Sequence, residues 1–172
     1  MNALIIYHTI TGHTRRAAED VAEGLAGEGA TARLLPAGEM LRWDVAGLAI
    51  VVVGSPCHAG SLAIRAGVSG AVLAALRKLD GSTLAGMVAG AFSVNSAYGG
   101  RRTVQAIEHR LRSAGATVPA PGVVVKAGVP LSLFTGPMAS EQSREELRHL
   151  GRTLAQTAKA GRNQDMLPRM EA

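Results

Sequence analysis

Thr9-Ile10-Thr11-Gly12-His13-Thr14 decides how the rest of the chain is read. It stands between a short apolar run, Ala3-Leu4-Ile5-Ile6-Tyr7, and a segment in which Ala17, Ala18, Val21, Ala22 and Leu25 recur at helical spacing. The run has the character of a strand buried on both faces of a parallel sheet, and the spacing after it is that of an amphipathic helix. The hexad therefore opens a helix, where unpaired amides and the positive end of the helix dipole meet. Hydroxyls and one glycine at that place suit a phosphate group. A Walker loop does not fit, because no lysine precedes Lys78. Nor does a dinucleotide fingerprint, which needs three spaced glycines where only Gly12 is present. An ordinary strand-to-helix turn capped by threonine is the plainer reading of the same residues.

Working outward, strands and helices alternate. Thr31 to Leu35 reads as a second strand closed by Pro36, and Leu48 to Val53 as a third, β-branched and uninterrupted. Val68, Val72, Leu76 and Leu79 predict a helix over 62–79, with Gly67 and Gly70 softening its first half. Met87 to Phe92 is the fourth strand. Val104, Ile107, Leu111 and Ala114 predict a helix over 101–114 that Gly115 ends. Val123 to Val125 is the fifth strand, and a helix over 141–159 follows, with Ser140 as its cap. The pattern implies an α/β fold: a doubly wound, five-stranded parallel sheet in the order 2-1-3-4-5. The domain occupies 1–161, and 162–172 reads as a flexible C-terminal tail. That order puts the carboxyl ends of strands one, three and four side by side. The loops His8–Thr14, Gly54–Ser61 and Asn95–Gly100 then converge.

Bulk properties narrow the function. At 172 residues, 47% hydrophobic and 18% charged, the chain is one globular domain. No apolar run approaches bilayer length and no signal-peptide pattern opens the chain. Cys57 is the only cysteine, so no internal disulfide forms and a cytoplasmic setting is expected. The net charge of +5 is dispersed, and aromatics at 3% supply few stacking platforms, which speaks against nucleic acid. The charge suits an acidic redox partner, or peripheral contact with an anionic membrane surface. Cys57 and His58 are neighbours in an extended loop and point apart, so they form no thiol–imidazole dyad. The five histidines lack metal-ligand spacing.

From Met1 to about Gly161 the chain resembles the flavodoxins, of the short-chain type because no long insertion interrupts the fifth-strand region. The resemblance implies FMN as cofactor. It places Thr9, Ile10, Thr11, Gly12, His13 and Thr14 on the FMN phosphate, and Ser55, Pro56, Cys57, His58, Ala59 and Gly60 along the isoalloxazine. Asn95, Ser96, Tyr98, Gly99 and Gly100 form the third loop, with Tyr98 where many members stack a tyrosine on the ring. Gly60 corresponds to the glycine whose carbonyl turns toward flavin N5 when one electron arrives. The implied role is electron transfer between a flavin reductase and redox acceptor proteins. Two departures leave other roles open: His58 and Ala59 stand where many members place an aromatic, and this chain is basic where carriers are usually acidic. The alternatives are an FMN-dependent oxidoreductase acting directly on a quinone or porphyrinogen-like substrate, and a non-redox interaction module.

Overall fold

Strand β1 (Asn2–Tyr7) lies at the heart of the sheet, and five of its six residues are buried, as its unbroken apolar run requires. A computed structural model describes residues 1–58, 67–79, 81–95, 98–127 and 139–165. After β1 come helix α1 (His13–Gly27), β2 (Thr31–Pro36), β3 (Ile50–His58), the two-residue β4 (Gly67–Val68) and α2 (Gly70–Arg77). Strand β5 (Val88–Asn95), α3 (Gly100–Ser113), β6 (Val123–Lys126) and α4 (Glu141–Asp165) complete the order. Two short 3-10 turns, Ala37–Glu39 and Arg42–Val45, carry the chain from β2 to β3.

The strands run β2-β1-β3-β5-β6, all parallel, and β4 is added antiparallel to the end of β3. Among the five long strands this is the expected 2-1-3-4-5 order. Alternate residues of each strand face opposite ways, and the core divides accordingly. Ala3, Ile5, Ile50, Val52 and Phe92 pack with α1 and α4 on one face. Leu4, Ile6, Val51, Val53, Ala89 and Ala91 pack with α2 and α3 on the other. All eight residues of β5 are buried. On the first face α1 and α4 approach so closely that a Cβ on Gly24 or Gly151 would enter the backbone of the opposite helix. Asp20 and Glu23 of α1 also pair with Arg144 and Arg148 of α4.

Several boundaries differ from expectation, each for a tertiary reason. Strand β3 does not stop at Val53 but continues through Gly54, Ser55 and Pro56, paired to Phe92, Ser93 and Val94 of β5. Gly54 is a glycine because the Phe92 ring fills the space a Cβ would need. Cys57 and His58 then pair with Val68 and Gly67. The helix expected over 62–79 is correspondingly short: 62–66 lie outside the described residues, 67–68 are strand, and Ser69 caps α2 with its hydroxyl on the Val72 amide. Pro36 extends β2 instead of closing it, opposite Tyr7. It is tolerated because β2 is an edge strand with an unpaired side. Helix α4 runs on to Asp165, past the 161 boundary expected for the domain, and 166–172 lie outside the described residues.

Candidate functional site

The carboxyl ends of β1, β3 and β5 are adjacent, and the register fixes their heights. Tyr7 is level with Gly54, and Gly54 with Phe92. Beyond the strands, the His8 amide donates to the Gly54 carbonyl at 3.2 Å, joining the first loop to the second. The Cys57 thiol donates to the Tyr98 carbonyl at 3.5 Å, joining the second to the third. Three segments far apart in sequence thus form one cleft.

The first loop does not use the threonine cap that its composition allows. The residue preceding α1 is Gly12, at φ 85°, and among the described residues no side chain caps the helix. That left-handed conformation favours glycine strongly. The first helical bond runs from the Arg16 amide to the Gly12 carbonyl. The amides of His13, Thr14 and Arg15 precede that ladder, as the first donors of any helix do. Thr9 accepts the Gly12 amide on Oγ1 at 3.0 Å, which shapes the loop and leaves the hydroxyl proton to donate elsewhere. Ile10 and Thr11 are exposed, His13 is half-buried and Thr14 is buried.

Helix α3 begins the same way. Gly99 stands at φ 95°, the Thr103 amide bonds its carbonyl, and no side chain caps the helix among the described residues. Gly100 is confined by packing, since a Cβ there would meet Val124, Ser93 and Asn95. Tyr98 is 75% exposed and Ile10 69%, large apolar surfaces on the first and third loops. Asn95, the last residue of β5, is only 5% exposed, yet its carboxamide oxygen has no hydrogen-bond partner among the described residues. The Thr103 hydroxyl in the first turn of α3 is in the same condition.

One expected contact residue has its hydroxyl already engaged within the fold. Ser55 is fully buried, with its hydroxyl accepting the Ser69 amide at 3.0 Å and donating to the Pro56 carbonyl at 2.9 Å. It braces α2 against β3, beside the cleft. Pro56 and Cys57 remain half-exposed at its edge. Ala59, Gly60 and Ser96 lie outside the described residues, as does the side chain of His58. Sequence reasoning gave no role to the Ser93 hydroxyl, which donates to the Gly100 carbonyl at 3.1 Å. It also passed over Asp20 and Arg144, which line a small cavity with His13 and Arg16 under the first turn of α1. Burial raises the Asp20 carboxyl above its usual range, and the hydrogen bond from Arg144 at 3.1 Å opposes that shift.

Residues 5–135 match the family model for flavodoxin. The chain belongs to the flavodoxin family. FMN is the cofactor of this family, and the observed site fits it: an uncapped helix start for a phosphate, then glycine loops and an exposed tyrosine for a flat ring. No curated protein sequence matches the chain. Solved structures confirm the fold. Rubredoxin oxygen:oxidoreductase from Desulfovibrio gigas is 23% identical, with a TM-score of 0.75 over 93% of this chain and 36% of that one. The flavodiiron protein from Giardia intestinalis is 22% identical, with a TM-score of 0.75 over 95% of this chain and 37% of that one. This flavodoxin-like chain thus spans little more than a third of either protein. A short-chain flavodoxin associated with a bacterial microcompartment is matched almost whole: 22% identity and a TM-score of 0.74 over 92% of this chain and 99% of that one. No described helix is long and apolar enough to cross a membrane.

Proposed function

We propose that this protein is an FMN-dependent electron carrier of the cytoplasm, taking electrons from a flavin reductase and passing them to acceptor proteins. When bound, FMN supplies the one- and two-electron chemistry, and the protein supplies position and access. In this reading the amides of His13, Thr14 and Arg15, with the Thr9 and Thr11 hydroxyls, hold the phosphate. Tyr98 covers the ring, Asn95 offers it an acceptor, and Pro56 to Gly60 and Ser96 to Gly100 border it.

The observation that carries the reading is the pair of helices, α1 and α3, that each start at a left-handed glycine with no side-chain cap among the described residues, both at the carboxyl end of the sheet. A side-chain cap at such a position stabilises a helix by about 1 kcal/mol relative to alanine and by a few tenths relative to glycine. Leaving both starts bare suits a ligand that takes those amides.

The reading is tested by supplying a NADPH-dependent flavin reductase and following reduction of an acidic acceptor protein, cytochrome b5, with and without the FMN-loaded protein. A rate that rises in proportion to added protein supports a carrier. No stimulation, with turnover of a quinone by the protein itself, makes it an oxidoreductase instead.

A further inference from the structure

Among the described residues, the loops that follow β1, β3 and β5 carry no carboxylate. Of the described residues that end or follow β1, β3, β5 and β6, positions 8–12, 54–58, 98–99, 127 and 139–140 contain no Asp, Glu, Lys or Arg. The first turns of α1 and α3 contain no acidic residue either. They carry Arg15 and Arg16, and Arg101 and Arg102. Cations at a helix start oppose the helix dipole, and carboxylates are the favourable choice there. The arrangement therefore runs against helix stability in both helices.

Carboxylates stand around this end on the edge strand and on α1 and α4: Asp20 lies under the first turn of α1, and Glu145 and Glu146 line a cavity with Arg101, where Arg148 and Arg152 pair with Glu145. Glu39 follows the edge strand β2, and Glu141 starts α4, where Arg144 and Arg148 pair with its carboxylate. Glu19, a turn along α1, pairs with Arg15 at 3.1 Å. Arg101, Arg102 and Lys126 are exposed on the side of the third loop. Ile10 and Tyr98 are the exposed apolar surfaces among these cations.

An apolar centre inside a charged rim is the anatomy of a protein docking surface. We propose that this end of the molecule docks the acidic face of a protein electron-transfer partner, with Ile10 and Tyr98 at the centre and Arg101, Arg102 and Lys126 steering the approach. This rests on the electron-carrier reading and specifies the charge of its partner. Such steering acts mainly on the rate of encounter and weakens as salt screens it.

The test uses reduced, FMN-loaded protein and two one-electron oxidants of opposite charge. Oxidation by ferricyanide is expected to slow by about tenfold between 0.01 and 0.15 M salt, while oxidation by hexaammineruthenium(III) speeds up. The double variant R101E/R102E should flatten or reverse both trends. It should also melt no lower than the parent, because glutamates at a helix start align with the dipole. Salt trends of the opposite sign, or trends unchanged in R101E/R102E, overturn the proposal. Flavin content, read by absorbance beforehand, separates failure of the carrier reading from failure of the docking surface. A flavin-independent measurement decides the latter in either case: NMR shifts of the protein titrated with poly-L-glutamate. Shifts gathered at Ile10, Tyr98, Arg101, Arg102 and Lys126 support the surface. Shifts spread equally over Arg144, Arg148 and Arg152 overturn it.

Discussion

Replacing Gly12 with alanine isolates the conformational demand of the phosphate loop. A Cβ on Gly12 would meet nothing within 4 Å, so overlap contributes no cost. The cost is the backbone: φ is 85° and ψ −14°, and an L-residue in the left-handed region is disfavoured by about 1–2 kcal/mol. If the loop keeps its shape, the apoprotein loses that stability. For a domain of this size each kcal/mol lowers Tm by about 2–4 °C. If the loop relaxes, the same strain appears on binding as an FMN affinity weaker by about 5- to 30-fold. The two losses together should amount to about 1–2 kcal/mol. Gly27, at the other end of α1, is the control: it also has open space at its Cβ but no positive φ. Gly27→Ala should stabilise the helix by up to about 0.5–1 kcal/mol. Urea unfolding of the apoproteins and FMN titration measure both quantities. A Gly12→Ala protein as stable as Gly27→Ala, binding FMN like the parent, would refute the reasoning.

Gly151→Ala should cost about 1–3 kcal/mol by overpacking the α1–α4 crossing, where its Cβ meets the Val21 carbonyl and the Leu25 amide; an unchanged urea midpoint would show that the helices slide apart freely. Ser55→Ala strands the buried Ser69 amide and should cost about 1–3 kcal/mol in the same assay, with wild-type FMN binding if Ser55 is only a brace. Glu28, Asp44, Glu141 and Glu145 are each held below the ordinary carboxylate range, chiefly by hydrogen bonds from Lys159, Arg33, Arg148 and Arg152 respectively. The unfolded chain binds their protons more readily, so their contribution is complete above that range and lost as pH falls through the folded pKa values. Asp20 acts in the opposite sense, since its pKa is raised: its contribution is complete at low pH and lost as pH rises through the raised value. Urea midpoints taken from pH 6 down to 3 should fall, and E28Q/E141Q should flatten the decline; an equally steep decline in that variant would remove these pairs from the account.

What was legible in the sequence is what local pattern controls. The unbroken runs at Ala3–Tyr7 and Leu48–Val53 and the helical spacings after residues 13, 100 and 140 determine element order, and element order determines topology. The carboxyl end of β3 was not legible. Gly54 and Pro56 look like a strand terminus, and only the Phe92 ring lying against Gly54 and the pairing of Pro56 with Val94 make them strand. Likewise Val68 keeps step with Val72 and Leu76 at helical spacing, yet it pairs with Cys57 and the helix waits for Ser69. The site followed the same division. The loops were found because their glycines and hydroxyls are conspicuous, but Ser55 looked like a ligand contact while its hydroxyl is buried under α2. That Thr9 would shape the loop and not cap the helix depended on the left-handed turn at Gly12, which composition permits but does not impose.

Comparison of FMN with riboflavin is the most direct test of the central claim, that the start of α1 holds the phosphate of a bound flavin. Titration of the apoprotein, followed by quenching of flavin fluorescence, should give one FMN per chain and at least tenfold weaker binding of riboflavin, about 1.4 kcal/mol for the lost phosphate contacts. Equal affinity for the two, or no binding of either, would contradict the account.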